Sequence, residues 1–161
     1  MKERVRITPR GEREIQMIRT FSASRDLVFD AFTKPELVRR WLLGPDGWSM
    51  PICEMDLRVG GNYRWVWKSD KDGTTMGVGG TYREITRPDR LVNTEKFDDA
   101  WYPGESINTT EFVEKNGKTT MTSTMLYESR EARDGVLKSD MERGVNDSYD
   151  RLEDLLLAEK R

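Results

Sequence analysis

The sequence offers few side chains for nucleophilic or acid-base chemistry, because its 161 residues include no histidine and a single cysteine. Without imidazole, a Ser-His or Cys-His nucleophile pair and a mixed His/Cys zinc site are excluded. We therefore predict no metal site and no cofactor. Any chemistry must use carboxylates, tyrosines, lysines, arginines or Cys53, and we expect Cys53 to be an inert, inward-facing thiol.

The strongest candidates for polar residues of a functional site are a phenol and a carboxylate on neighbouring strands. The simplest hairpin around Pro88-Asp89 pairs Tyr82 with Glu95. The same register pairs Gly80 with Phe97. If this face is the inner one, Tyr82 and Glu95 can orient a hydroxyl or amine of a ligand, or act as an acid/base couple, since burial raises the pKa of a carboxyl. The alternative is that Glu95 faces solvent or the mouth of a cavity.

A second group of candidates follows from the turn at Asn116-Gly117, whose residue types favour a two-residue hairpin loop. That loop collects large apolar and small polar side chains on one face, through the pairs Phe112–Met121, Thr110–Ser123 and Asn108–Met125. The inner face is therefore predicted to be apolar, with a strip of small polar groups that extends the site.

Two tryptophans are predicted to form an aromatic wall. A three-residue loop at Gly60-Gly61 pairs Trp65 with Leu57 and Trp67 with Met55, whereas a two-residue loop would place both indoles opposite carboxylates. We prefer the first register because it places apolar side chains opposite apolar side chains. The remaining charged side chains then form a solvated stripe on the outer face, namely Glu54, Asp56 and Arg58.

The elements that position these residues can be read from periodicity and turn signals. Alternation from Glu14 predicts a first strand, and Ser24 and the segment Thr33-Lys34-Pro35-Glu36 predict the starts of two short helices. Six more strands are predicted at 51–58, 62–69, 75–86, 90–99, 106–115 and 118–128. A long C-terminal amphipathic helix is predicted from the stripe Met141, Val145, Ser148, Tyr149, Leu152, Leu155 and Leu156.

This order is an α+β fold in which a curved, seven-stranded antiparallel sheet wraps around the long helix. We divide the chain into a flexible lead-in over 1–13 and a single domain over 14–161, a size that suits one core. The turn at Pro103-Gly104 is expected to separate two of the strands.

Composition excludes several classes of function. With 27 basic and 29 acidic residues interspersed, the net charge of −2 favours no nucleic-acid partner. The single cysteine excludes an internal disulfide and fits a reducing, cytoplasmic location. No apolar run is long enough for a secretion signal or a membrane span, so no membrane insertion is expected.

Five motifs resemble a known family: FSASRDLVFDAFTKPELVRRWL, CEMDLRVGG, GTYREITRPDRLVNTEKF, TTEFVEKNGKTTMT and GVNDSYDRLEDLL. Over about residues 14–158 the chain resembles homologues of the activator of the 90-kDa heat-shock chaperone ATPase, within the START-related, polyketide cyclase-like helix-grip superfamily. The resemblance implies a β-α-α-β6-α fold with a cavity between sheet and helix. Val145 stands where many relatives carry tryptophan.

Three hypotheses follow. The leading one is noncatalytic binding of an apolar, aromatic or lipid-like small molecule in the cavity. The second is a cyclase, dehydratase or hydrolase that uses Glu95 and Tyr82, and the third, implied by the family name, is a chaperone co-regulator with a role in the stress response. The sequence is also compatible with a homodimer. The predicted binding residues are Trp65, Trp67, Tyr82, Glu95, Phe97, Asn108, Thr110, Phe112, Met121, Ser123, Met125, Met141, Val145 and Tyr149.

Overall fold

A computed structural model describes residues 3–99 and 104–159 of the chain. Its strands are β1 Arg6–Arg10, β2 Glu14–Phe21, β3 Trp48–Met55, β4 Asn62–Ser69, β5 Thr75–Thr86, β6 Arg90–Phe97, β7 Ser106–Lys115 and β8 Lys118–Leu126. Its helices are α1 Arg25–Thr33, α2 Pro35–Trp41, α3 Arg130–Lys138 and α4 Met141–Glu159. The predicted turn at Pro103-Gly104 lies partly outside the described residues.

The strands form one antiparallel sheet in the order β1-β2-β8-β7-β6-β5-β4-β3. This is the predicted α+β helix-grip architecture, but the sheet has eight strands and not seven. The extra strand, β1, comes from the segment predicted as a flexible lead-in, and it pairs with β2 at the sheet edge. Most of its side chains are exposed, so it shows no apolar alternation, and Pro9 is tolerated because the strand is at an edge.

The helices begin largely where the sequence indicates. The Ser24 side chain accepts a hydrogen bond from the Leu27 amide and caps α1. The capping box predicted at Thr33 is wrong, since Thr33 lies at the end of α1 and its hydroxyl donates to the Phe29 carbonyl at 2.8 Å. Helix α2 instead begins with Pro35 in its first turn. A further helix, α3, was not predicted, and Ser129 caps it.

The hairpin between β7 and β8 has the predicted register. Phe112 lies opposite Met121, and the other two predicted pairs are also present. Asn116 and Gly117 both have positive φ, at 54° and 76°, which a two-residue turn of this kind requires.

The register predicted between β3 and β4 is wrong by four residues, because Trp65 pairs with Cys53 instead of Leu57. The connection is longer than a tight turn, since its glycines extend the sheet on the other side. The Gly60 amide donates to the Tyr82 carbonyl at 2.8 Å, and the Tyr82 amide donates to Gly61 at 2.9 Å. A Cβ on Gly61 would lie 2.0 Å from the Asp56 carbonyl oxygen. The predicted face is nevertheless correct, because four is an even shift.

The register predicted between β5 and β6 is also wrong. Tyr82 pairs with Asn93 instead of Glu95, and Phe97 pairs with Val78 instead of Gly80. Two causes add up: the loop has one more residue than predicted, and the ladder slips once more between Tyr82 and Glu84. The two single offsets sum to an even shift, so Tyr82 and Glu95 stay on the same face.

The core lies between the concave face of the sheet and helices α1 and α4. The C-terminal half of α4 is anchored by Leu152, Leu155 and Leu156, which are 0%, 7% and 1% exposed. Trp41 closes the core beneath α2, and its indole nitrogen donates to the Ala31 carbonyl at 2.9 Å. The charged side chains of β3 and the loop after it, Glu54, Asp56 and Arg58, are exposed as predicted.

Candidate functional site

A cavity of about 560 Å³ lies between the inner face of the sheet, the segment that joins α2 to β3, and the N-terminal half of α4. Twelve of the predicted binding residues contribute to its lining: Trp65, Trp67, Tyr82, Glu95, Phe97, Asn108, Thr110, Ser123, Met125, Met141, Val145 and Tyr149. The strands supply most of the wall, because alternate side chains of each strand point to the concave face.

Phe112 and Met121 do not contribute to the cavity lining, contrary to prediction. Both are buried, at 2% and 0% exposure. The rings of Phe29 and Phe32 lie 5.9 and 5.3 Å from the Phe112 ring, so helix α1 covers this end of the hairpin. The face was predicted correctly, but the sequence does not show where along that face the helix stops covering it.

An aromatic wall runs across β4 and β5. The Tyr63 ring lies 4.7 Å from the Trp65 ring and 5.4 Å from the Tyr82 ring, measured between centroids. Trp67 continues the row, 6.4 Å from Trp65. These spacings are those of packed aromatic pairs, so the rings support one another and form a continuous apolar surface.

Two polar atoms on this wall are buried and lack partners. The Tyr82 hydroxyl and the Trp65 indole nitrogen make no hydrogen bond to any residue in 3–99 or 104–159. By contrast, the Tyr63 hydroxyl donates to the Thr94 carbonyl at 2.5 Å and accepts from the Asn93 amide at 3.1 Å. A buried polar group without a partner costs about 1–3 kcal/mol.

Glu95 is the acidic residue of the cavity. It is half-buried, and its surroundings raise the pKa of the carboxyl to about 7, chiefly through desolvation. The Asn108 amide donates to the Glu95 carboxylate at 3.2 Å, and this hydrogen bond favours the ionised form and opposes the rise. Near neutral pH the carboxyl therefore exists in both protonation states, and the protonated form can donate a hydrogen bond.

Phenols from two other elements interact with the charge of this carboxyl, and a third phenol lines the same cavity. Burial raises the pKa of Tyr63, Tyr82 and Tyr149, and the charge of Glu95 adds to the rise at Tyr63 and Tyr149. The described lining includes no lysine, arginine or aspartate. The described residues also contain no group of His, Cys, Asp and Glu side chains that could hold a metal ion. Within the described lining, Glu95 therefore has no counter-charge.

The segment between α2 and β3 forms one side of the cavity and is held from two directions. The Trp67 indole donates to the Leu42 carbonyl at 2.7 Å. The Gly44 amide donates to the Ser148 hydroxyl at 2.8 Å, and Arg151 donates to the Gly44 carbonyl at 2.7 Å. The segment thus connects β4 to α4 across the cavity.

The lining also contains residues that were not among the predicted site residues, and three of them are the aromatic or polar side chains Trp48, Tyr63 and Asn93. Asn93 could have been predicted from the sequence, because it has the same parity along β6 as Glu95 and Phe97. Tyr63 has the same parity as Trp65. Trp48 was missed because the strand was predicted to begin at residue 51, whereas it begins at Trp48.

The predicted inert thiol, Cys53, lies outside the cavity lining. Its sulfur lies 3.6 Å from the Pro35 carbonyl oxygen, and burial is the main cause that raises the thiol pKa. A raised pKa lowers the thiolate fraction at neutral pH. This geometry agrees with a packing role.

The model of the Activator of Hsp90 ATPase homolog 1-like protein family matches residues 22–157, which is most of the chain. The chain belongs to this family. No curated protein matches it. Within the part of the chain that the structure describes, no helix is long and apolar enough to cross a membrane.

Solved structures share the fold of this family member. A Rhodobacter sphaeroides protein is 29% identical with a TM-score of 0.90, covering 97% of this chain and 99% of its own. The Nitrosomonas europaea protein NE0264 is 25% identical with a TM-score of 0.81, covering 94% and 99%. An HSP90 activator from Plasmodium falciparum is 24% identical with a TM-score of 0.53, covering 71% and 72%, and shows a likeness of fold alone.

Proposed function

We propose that this family member is a noncatalytic binder of an apolar, aromatic or lipid-like small molecule, which it holds between the sheet and α4. The observation that carries the proposal is the cavity of about 560 Å³ lined by the aromatic row of β4 and β5. Ligand sites in proteins commonly have volumes of about 300–1,000 Å³ and apolar walls with few polar groups. The size and chemistry of this cavity agree with that description.

The choice of side chains on α4 also supports binding. Val145 lines the cavity, where a larger side chain would occupy its volume. A Cβ on Gly144 would lie 3.3 Å from the Pro45 Cδ, so this glycine packs closely against the segment between α2 and β3. The opposite wall carries the small polar pair Thr110 and Ser123, whose hydroxyl oxygens are 3.5 Å apart. Both sides of the cavity therefore carry small residues, although the helix is packed by leucines further along.

An enzyme is the second candidate, because the pKa of Glu95 is about 7, the range in which a carboxyl can transfer protons at neutral pH. The predicted couple with Tyr82 is not formed directly, since the Tyr82 hydroxyl has no hydrogen-bond partner among the described residues. Burial also raises the pKa of Tyr82, which disfavours its ionisation. We therefore favour binding over catalysis.

Chaperone regulation is the third candidate, and it rests on the family name and on the fold shared with the Plasmodium falciparum HSP90 activator. A partner surface would need exposed apolar residues. Ile52, Leu57 and Val59, on and just after edge strand β3, are 41%, 40% and 63% exposed. A homodimer, a cytoplasmic location and the lack of a nucleic-acid partner are predictions from the sequence.

The binding proposal can be tested with Nile red, an uncharged apolar dye whose fluorescence rises in an apolar site. We expect saturable binding to the purified protein. Val145→Trp should weaken it by about tenfold or more, because the indole would fill volume against the aromatic wall. The matched control is Arg143→Trp, which adds the same side chain at an exposed position of α4.

Equal loss of dye binding in both tryptophan variants, or no loss in either, would contradict binding in the cavity. Circular dichroism melts of both variants should show that each is folded. Native mass spectrometry of the purified protein adds an independent measurement, since a copurifying compound would identify the ligand class directly. The enzymatic alternative gains support if that compound is converted by the protein and Glu95→Gln abolishes the conversion.

A further inference from the structure

The cavity wall contains two polar hydrogens that point to a feature of the ligand. The Trp65 indole nitrogen can only donate, and the Tyr82 hydroxyl can donate or accept. Both atoms are buried, and neither has a partner among residues 3–99 and 104–159. Tyr82 is 4% exposed, and both residues line the same cavity on either side of the Tyr63 ring. Ligand oxygens that accept hydrogen bonds would satisfy them.

Tyr63 shows that this wall does not satisfy every polar group in the same way. Its hydroxyl is engaged by the Thr94 carbonyl and the Asn93 amide, although it lies between the two unpartnered groups. The protein thus provides internal partners for the central phenol and leaves the two flanking donors for another molecule.

The charges around the cavity decide which kind of oxygen fits. Glu95 is an acidic lining group, and the described lining includes no lysine or arginine. A carboxylate or phosphate ligand would bring a second negative charge into an apolar site whose described lining offers no counter-ion, and like charges repel there more strongly than in water. A ligand ammonium would pair with Glu95 but would leave the indole N–H without an acceptor.

We propose that the cavity selects uncharged ligands that carry a hydrogen-bond-accepting oxygen, such as a carbonyl, and that it discriminates against carboxylates. The oxygen accepts from the Trp65 indole or from the Tyr82 hydroxyl, and the apolar remainder lies along the aromatic row. Glu95 supplies the discrimination against anions. This inference rests on the proposed function and adds the chemical class of the ligand.

The test is displacement of Nile red by naphthalenes of matched shape. They are 2-acetylnaphthalene, its alkene isostere 2-isopropenylnaphthalene, the carboxylate 2-naphthoate, and the cation 1-(2-naphthyl)ethylammonium. We expect the ketone to bind roughly tenfold more tightly than the alkene, the gain of about one satisfied hydrogen bond. At pH 8, 2-naphthoate should bind at least roughly tenfold more weakly than the ketone.

The inference is overturned if the alkene binds as tightly as the ketone, if 2-naphthoate or the ammonium binds as tightly as the ketone, or if none of the four displaces bound Nile red. Failure of Nile red itself to bind would be a different result, since it would overturn the proposed function. The two failures are therefore distinguishable in one titration.

Conservative substitutions identify which residues produce the preference for the ketone and the discrimination against the carboxylate. Tyr82→Phe should reduce the preference for ketone over alkene while leaving alkene affinity unchanged. Glu95→Gln should raise the affinity for 2-naphthoate by several fold, because it removes the negative charge and keeps the shape. The matched control is Glu54→Gln, an exposed carboxylate on β3, which should change neither preference. An equal effect of Glu54→Gln and Glu95→Gln would show that general surface charge, and not the cavity, repels the anion.

Discussion

Two neighbouring rungs of the β7–β8 hairpin differ sharply although they lie on the same face of the sheet. The pair Phe112 and Met121 is packed under α1 and belongs to the core. The next pair on that face, Thr110 and Ser123, lines the cavity. One rung therefore separates a filled half of the inner face from an open half.

The same contrast is present along α4, where leucines fill the C-terminal half and Gly144 and Val145 line the cavity from the N-terminal half. The open half also holds the unsatisfied Trp65 indole nitrogen and Tyr82 hydroxyl, together with Glu95. The packed half should therefore determine stability and the open half should determine ligand selection. Three measurements test this division.

The largest effect is expected in the packed half. Leu152→Ala should lower the free energy of unfolding by about 2–5 kcal/mol, because a fully buried leucine is replaced by a cavity. Denaturant melts measure this loss. The control is Leu157→Ala, since Leu157 is 42% exposed on the same helix and should change stability by about 0.5 kcal/mol or less. A Leu152→Ala loss below about 1 kcal/mol would contradict the packed half.

An intermediate effect is expected from Glu95 in the open half. Its pKa rises from 4.5 to about 7 on folding, so the folded protein binds a proton that the unfolded chain has released. The resulting stabilisation is complete below pH 4.5, declines as pH rises, and is lost above about pH 7. We expect a decline on the order of 2 kcal/mol across this window, smaller than the full shift because the side chain is half-buried.

Glu95→Gln is the control for this pH dependence and should flatten the decline between pH 5 and 8. The exposed carboxyls of Asp72, Asp98 and Asp134 have pKa values lowered from 3.8, so their titration lies below the window. The phenols of Tyr63 and Tyr149 interact with the charge of Glu95 from other elements, and raised pKa values keep these two phenols and that of Tyr82 neutral. An identical pH profile in wild type and variant would contradict the buried acid.

The smallest effect is expected at Tyr82. Tyr82→Phe removes a buried hydroxyl that lacks a partner among the described residues, so the ligand-free protein should be unchanged or more stable by up to about 1 kcal/mol. Thermal melts without ligand measure this change. Tyr63→Phe is the matched comparison, because that hydroxyl makes two hydrogen bonds and its loss should be destabilising. A larger loss of stability in Tyr82→Phe than in Tyr63→Phe would contradict the conclusion that the Tyr63 hydroxyl is hydrogen-bonded and the Tyr82 hydroxyl is not.

Much of the fold was open to prediction from the sequence. Hydrophobic periodicity identified β2, the six strands from β3 to β8 and the long helix, because both periods are local properties of the chain. It did not identify β1 or α3. The side chains of β1 are mostly exposed, so no apolar alternation marks that strand.

Most of the predicted site residues line the cavity, but the pairing between β5 and β6 was not predicted correctly. Tyr82 and Glu95 share the inner face as expected, yet Tyr82 lies opposite Asn93. The error came from a longer loop and a slip in the ladder, each of one residue, and their sum preserved the face. Phe112 and Met121 were assigned to the cavity because the sequence shows which side of a strand is apolar, but not what covers it.

The strands β2 to β8 with their parities, the helix α4 and the Asn116-Gly117 turn could be predicted from the sequence alone, since they depend on residues close together in the chain. The length of the loop between β3 and β4, and with it the register of these strands, depends on tertiary structure. Gly60 and Gly61 form backbone hydrogen bonds with a strand further along the chain. The tertiary structure also decided where α1 and α4 fill the sheet and where they leave a cavity. That boundary depends on the volumes of side chains distant in sequence, which only their packing brings together.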